Sequence, residues 1–299
     1  MADPSGKGGF LRRFSGSEAR SGLALISPTA IYAILLLAAP LATIIITSFL
    51  TDGYLKVEWI FSLQNYIETW TNKVYRAVMF RSLTVSMSVT VLTVLLAYPV
   101  AYFVSFNVDA SRKSLWLFLI TIPFWTSYLI RVFLWKVILG YNGVINSALM
   151  WVGVIDEPLT AISYNVQAFV VTLAHAYAPF AILPIFVALE KIDRSLLEAG
   201  QDLGESRFRT FLRVTLPLSM PGVIAAVLIV FIPTIGDYVT PNLIGGGKIP
   251  MIANMIEVLM LVRDDKPLGS AIAVSAMLIV TLVSLFFLFL NRRYLRGPQ

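Results

Sequence analysis

The chain has 299 residues, 58% of them hydrophobic and only 13% charged, with a mean hydropathy of +0.79 and a formal net charge of +6. That is more apolar surface than one water-soluble core of this length can hide, which excludes a soluble globular fold and turns most of the chain toward lipid or neighbouring membrane helices. The lack of cysteine excludes disulfides and thiolate metal sites, and excess Lys and Arg in such a chain marks cytoplasmic loops rather than a nucleic-acid interface.

Residues 1–22 are polar and basic, carrying Lys7, Arg12, Arg13 and Arg20. Without a small-residue cleavage site after a short apolar core they read as a cytosolic tail, not a signal peptide. A membrane span needs about 20 apolar residues. Six stretches qualify, at about 23–50, 78–106, 115–139, 168–189, 219–244 and 269–290. The expectation is an all-α membrane protein: six spans over 23–291, a cytosolic loop at 190–218 and a short tail at 292–299. Of the 23 Lys and Arg residues, this arrangement puts 14 on the inner segments and seven on the outer loops. Arg131 and Lys136 remain, in the outer half of the third span. The bias places both termini and the 190–218 loop in the cytoplasm.

The outer connections 51–77 and 140–167 carry Trp59, Tyr66, Trp70 and Trp151, aromatics suited to a surface helix or to contact with a partner. Asp156-Glu157-Pro158 reads as a turn. In the third span, Pro123 removes one helix hydrogen bond, so a kink or break is expected beside Trp125, Thr126 and Ser127. Arg131 and Lys136 then either snorkel to the headgroups or join a pathway. In the fourth span, His175 fits hydrogen-bonded packing or, as the alternative, proton transfer.

The 190–218 loop is polar and helix-forming. Ser195-Leu196-Leu197-Glu198 reads as a capping box that starts a helix in water. Gly204 permits a backbone conformation closed to other residues, a second short helix is expected over about 205–212, and Pro217 should stop it. In the fifth span Pro233, Asp237 and Pro241 recur at i, i+4 and i+8 on one predicted helix face, with Thr234 and Tyr238 beside them. That face cannot look at lipid, because an unpaired carboxylate there costs several kcal/mol. Asp237 and the ring of Tyr238 suit a cationic solute. The competing reading puts Asp237 in water or in a pair with Arg131 or Lys136. Asp264 and Asp265, flanked by Arg263 and Lys266, suit a charged protein contact better than a metal site.

Glu198-Ala199-Gly200-Gln201-Asp202-Leu203-Gly204, then nine residues to Val214-Thr215-Leu216-Pro217, resembles the glutamate-alanine-alanine signature of ABC importer permeases. Gly200 and Val214 are the two departures, standing for alanine and isoleucine. Pro123 to Arg131, Leu189 to Asp193, Phe231-Ile232-Pro233 and Gly245 to Lys248 are similar to the spermidine/putrescine permease branch, which also contains carriers of aminophosphonates, opines and ferric iron. The resemblance implies the type I importer permease fold in a bacterial inner membrane. It also implies a second, different permease subunit, two copies of a cytosolic ATPase that bind ATP and Mg, and an external solute-binding protein. Glu198, Ala199, Gly200, Asp202, Gly204, Phe208, Arg209 and Pro217 would form the ATPase contact, with Gly204 as hinge and Phe208 as buried anchor. Asp237, Tyr238, Thr234, Trp125 and Thr126 are the pathway candidates.

No G-x-x-x-x-G-K-[ST] phosphate loop occurs in the chain, so ATP hydrolysis must be supplied by the partner. Without the resemblance, 190–218 would read as an amphipathic connector on the inner leaflet. A self-sufficient channel or secondary transporter would need charged relays across several spans, and only Asp237 offers one. A membrane-embedded enzyme would need paired carboxylates or a nucleophile with its base, which the spans do not supply.

Overall fold

Apolar runs become long helices because a backbone in hydrocarbon must satisfy its donors and acceptors within its own segment. The computed structural model describes residues 17–53, 56–162, 165–247 and 249–295. In chain order, α1 (Ser17–Ser48) leads into a small antiparallel hairpin of β1 (Thr51–Gly53) and β2 (Lys56–Glu58), with Asp52 opposite Val57. Then come α2 (Gln64–Thr71), α3 (Lys73–Phe106) and α4 (Ala110–Thr121). A 3₁₀ turn at Ile122–Trp125 separates α4 from α5 (Tyr128–Leu139), which is followed by α6 (Val144–Trp151) and α7 (Val166–Glu190). Next stand α8 (Arg194–Asp202), α9 (Arg207–Thr210), a π-helical turn at Phe211–Thr215 and α10 (Leu216–Ile235). The chain ends with α11 (Val239–Ile244), α12 (Ile252–Glu257), a second π turn at Val258–Val262, α13 (Lys266–Leu290) and α14 (Arg292–Leu295).

Six helical stretches are long and apolar enough to cross a membrane: Ala24–Ser48, Lys73–Phe106, Tyr128–Trp151, Val166–Glu190, Arg207–Ile235 and Lys266–Leu290. Two depart from the sequence expectation. The break expected at Pro123 is present, with Thr126 and Ser127 extended, but the apolar passage does not occupy 115–139: it runs through α5 and α6. The fifth passage ends early, at Ile235, and resumes as a separate α11 only after Gly236, Asp237 and Tyr238. The first helix starts at Ser17, inside what reads as a tail, while Lys7, Arg12, Arg13, Lys248 and Arg296 lie outside the described residues.

The core is built by α3, α7 and α10 packing on one another. Val89, Val104, Phe169, Leu173, Ile185, Leu189 and Val230 bury there. A second cluster, with Tyr75, Phe231, Ile252, Leu259 and Ile272, ties α12 and α13 to the other edge. Helix α1 lies against α13 and buries almost nothing, leaving an apolar surface for lipid or another subunit.

The outer connections are more ordered than their composition suggests. Tyr66 is not a free interfacial ring: it stacks on Phe49 and its hydroxyl hydrogen-bonds Ser48 at 2.7 Å, while Asn65 Nδ2 donates to the Ser48 and Leu50 carbonyls. Buried Asn146 does the same for 140–167, donating to the Tyr141 carbonyl and accepting from the Leu159 amide. Trp59, Trp70 and Trp151 stay exposed. The predicted turn at Asp156-Glu157 is a bend.

Where α7 meets α10, no side chain fits at Gly222: a Cβ there would lie 2.5 Å from both the Ala188 Cβ and the Pro184 carbonyl oxygen. Gly222→Val should therefore force the two helices apart and cost about 1–3 kcal/mol. The check is the thermal aggregation midpoint of the detergent-solubilised protein; a midpoint equal to wild type would mean that this contact is slack.

Candidate functional site

Helix α8 begins differently from the sequence expectation. The N-cap is Asp193, whose side chain accepts from the Ser195 amide at 3.0 Å, so the Ser195–Glu198 capping box does not form. A carboxylate earlier by two residues wins because its negative charge also suits the positive helix N-terminus. That backbone donor holds the Asp193 carboxyl below the usual carboxylate range. At the other end Gly204 takes φ +84°. The Glu205 amide donates to the Gly200 carbonyl at 3.1 Å and the Gly204 amide to the Gln201 carbonyl at 2.9 Å, the paired bonds of a Schellman stop. Gly200 has its own reason to be small, because a Cβ there would sit 3.2 Å from Thr210 Cγ2, so α8 and α9 touch at this point.

Ser206 caps α9 through the Arg209 amide, and Glu205 pairs with Arg213. The expected second helix does not stop at Pro217. Instead α9, the π turn and α10 form one continuous helical path over Arg207–Ile235, and Pro217 sits in the first turn of α10, directly after the π turn. Phe211 is a residue whose role the sequence does not announce. It points back into the bundle and meets the rings of Tyr98 and Tyr102 edge-on at 5.7 and 6.0 Å, while the Tyr98 hydroxyl bonds Ser219 Oγ at 2.8 Å.

The opposite surface of this loop is bare. Phe208 is 69% exposed and Leu203 86%, with Leu196 and Leu212 also exposed and Leu197 half-buried. Glu198, Ala199, Asp202 and Arg209 share that exposure, and Gly200 is half-buried. Thus Phe208 is not buried within this chain. The two short helices thus display exposed apolar side chains ringed by charge.

The second group of candidates lies at the two helix breaks. Asp237 is 7% exposed and both its carboxylate oxygens accept hydrogen bonds. Oδ1 accepts from the Val239 and Thr240 amides at 3.0 and 3.3 Å, capping α11, and Oδ2 accepts from the Tyr128 hydroxyl at 2.8 Å. Tyr128 also bonds Thr240 Oγ1 at 2.7 Å. The shared face expected for Pro233, Asp237 and Pro241 does not exist, because the helix stops between the first two of them. Asp237 is neither in open water nor ion-paired with Arg131 or Lys136. Arg131 is not snorkelling either; its Nη1 donates to the Ala176 carbonyl at 3.1 Å, in the turn preceding Pro179.

Tyr128 brings the third-passage break up against the fifth. Trp125, 81% exposed, and Thr126, which donates to the Pro123 carbonyl, stand two or three residues away from it. Tyr238 is half-exposed, its carbonyl held by Asn254. Thr234 is buried and spends its hydroxyl on the Val230 carbonyl, so it does not face a pathway. An aromatic series runs from here along α7: Tyr128 to Tyr177 at 6.4 Å, Tyr177 to Phe180 at 6.1 Å, and Phe180 to Phe124 at 4.5 Å. His175 accepts from Trp135 Nε1 at 3.1 Å, the packing role. Among the described residues no cluster of His, Asp and Glu has metal-binding geometry. Asp265 caps α13 through the Leu268 amide, and Asp264 pairs with Lys266 at 3.0 Å.

Residues 65–296 match the family described as the binding-protein-dependent transport system inner membrane component. The chain is 36% identical over 255 residues to the spermidine/putrescine transport system permease protein PotB of Escherichia coli K12, covering 85% of this chain and 92% of that one. A solved bacterial ABC transporter involved in alginate import has the same fold: TM-score 0.72 at 16% identity, over 95% of this chain and 98% of that one. The alginate transporter solved in complex with a pentasaccharide-bound periplasmic protein aligns with the same score at 17% identity, over 97% and 99%.

Since Asp237 holds three donors, Asp237→Ala should cost about 1–3 kcal/mol of stability by leaving them unpaired, and Asp237→Asn less. Thermal midpoints of the purified protein test this. Wild-type midpoints for both variants, with uptake lost, would mean instead that the carboxylate serves the cargo alone.

Proposed function

Because the chain belongs to the inner-membrane components of binding-protein-dependent transport systems, the membrane subunits of ABC importers, we propose that it is one permease subunit of a polyamine importer. It works with a second, different permease, two copies of a cytosolic ATPase that bind ATP and Mg, and an external solute-binding protein. The similarity to a spermidine/putrescine permease over most of both chains supports this cargo. Both termini and the 190–218 loop face the cytoplasm, as the distribution of Lys and Arg favours.

The observation that carries the mechanism is the bare apolar patch of Leu203 and Phe208 on a loop continuous with a membrane-length helix. Phe208 inserts into a cleft of the ATPase, Glu198, Asp202 and Arg209 ring the contact, and Gly204 sets the angle between the two short helices. Closure of the ATPase dimer on ATP pushes α8 and α9. Since Arg207–Ile235 is one helical path, that push is carried along it toward the break at Gly236. The outer cavity opens to the docked binding protein, and hydrolysis resets the assembly.

The cargo passes the two breaks. With Asp237 buried and both its carboxylate oxygens accepting hydrogen bonds, the exposed faces of Trp125 and Tyr238 meet the ammonium groups through cation–π attraction, beside Thr126. Asp237 contributes a buried negative charge from behind.

The test is the reconstituted assembly with its binding protein and spermidine as probe. Wild type should hydrolyse ATP faster with spermidine. Gly204→Asp, which cannot adopt φ +84° without strain, should insert normally yet lose both uptake and stimulation. Normal uptake in that variant would reject the docking role. Stimulation by an aminophosphonate, an opine or ferric iron in place of spermidine would keep the permease and replace the cargo.

A further inference from the structure

The base of the docking loop is tied to the bundle by a cluster of polar groups that the coupling signature does not include. Glu190, the last residue of α7, accepts through one carboxylate oxygen from Ser105 Oγ at 2.7 Å and from the ammonium of Lys113 on α4. Arg194, the first residue of α8, donates through Nη2 to the Ser105 carbonyl at 3.2 Å, and its guanidinium lies 6.0 Å from the centre of the Phe106 ring. Ser105 is fully buried and sits in the last turn of α3, where a carbonyl has no partner within its own helix. Leu189, just before Glu190, and Ile192, between the two charged residues, are buried in the core.

Four helix ends therefore meet in one polar knot, those of α3 and α7 and the starts of α4 and α8. Covalently α8 is joined to α7 through residues 191–193 and to α10 through Gly204, α9 and the π turn. The knot adds charge-assisted hydrogen bonds, directional and stronger than neutral ones, that tie this corner to α3 and α4. Without them a push on α8 would reach α7 and α10 through the chain and α3 through packing alone. With them the inner ends of α3 and α7 move with α8, and α3, α7 and α10 are the three helices of the core.

We infer that Glu190, with Lys113, Ser105 and Arg194, is a transmission pin: a positioning group that converts displacement of α8 into movement of the inner ends of α3 and α7. The inference rests on the reading of α8 and α9 as the ATPase contact. The pin adds no cargo or nucleotide contact. Its signature is a loss of uptake per ATP hydrolysed rather than a loss of assembled complex.

The experiment is a double-mutant cycle in the reconstituted assembly, with Glu190→Gln, Lys113→Met and both together, spermidine as probe, and complex yield, uptake and ATP hydrolysis measured on each. Each single variant should assemble in wild-type amount and lose roughly tenfold in uptake per ATP, and the double variant should lose no more than the worse single one. Lys113→Arg, which keeps the charge and the donors, should recover to near wild type. Arg194→Ala, at an exposed position, should also assemble and lose several-fold, so the inference stays open to refutation even if a variant at Glu190 fails to assemble. Wild-type coupling in Arg194→Ala or Glu190→Gln, or losses that simply multiply in the double variant, would overturn it. Gly204→Asp run alongside separates the two failures: normal uptake there rejects the docking reading, whereas uncoupled Gly204→Asp with a fully coupled Glu190→Gln rejects the pin alone.

Discussion

A peptide group inside hydrocarbon must find its partner within the protein, and each interruption of the helices in this chain is shaped by that requirement. At the third passage the Thr126 amide turns back to the Pro123 carbonyl, and the chain restarts as a helix two residues later. At the fifth, Asp237 supplies the acceptor that the first amides of α11 lack, and takes the Tyr128 hydroxyl as well. Between α9 and α10 the backbone widens to a π turn rather than opening, with the Leu216 amide reaching the Phe211 carbonyl. Irregular backbone is thus confined to places where side chains or a changed register complete the hydrogen bonding. Those are the same places a solute or a coupling stroke would use.

The division of labour follows. α3, α7 and α10 form a tight, largely apolar core, with Gly222 allowing backbone contact between two of them. The candidate groups lie toward the ends. One end carries α8 and α9, apolar and charged on a bare surface. The other carries the pair of breaks, where rings rather than carboxylates are presented. The helical path Arg207–Ile235 joins the two ends.

What is legible in the sequence is whatever depends on local chemistry. Six apolar runs, the break at Pro123 and the left-handed Gly204 all follow from residue type and spacing, and the signature around Glu198 to Pro217 identifies the loop. The failures share a cause. The common face of Pro233, Asp237 and Pro241 presumes an unbroken helix, whereas Gly236 ends it and Asp237 gains more by capping α11. The capping box at Ser195 loses to Asp193, a choice between two good caps two residues apart. Phe208 and Phe211 look alike on a helical wheel, yet one is bare and the other is wedged against Tyr98 and Tyr102. The Tyr128–Asp237 bond joins residues 109 apart and the Ser105–Glu190 bond residues 85 apart; no local pattern encodes such pairs.

The central claim is that the exposed face of α8 and α9 is where the ATPase pushes. The chain has no cysteine, so Phe208→Cys introduces a single thiol in an otherwise silent background. Disulfide or bismaleimide cross-linking of that variant, in the assembled transporter, against single cysteines placed along the cleft of the ATPase subunit tests the contact directly. The account predicts an efficient cross-link whose yield changes between nucleotide-free and ATP-bound states, and which arrests uptake. Absence of any cross-link to the ATPase, with transport intact in Phe208→Cys, would contradict it.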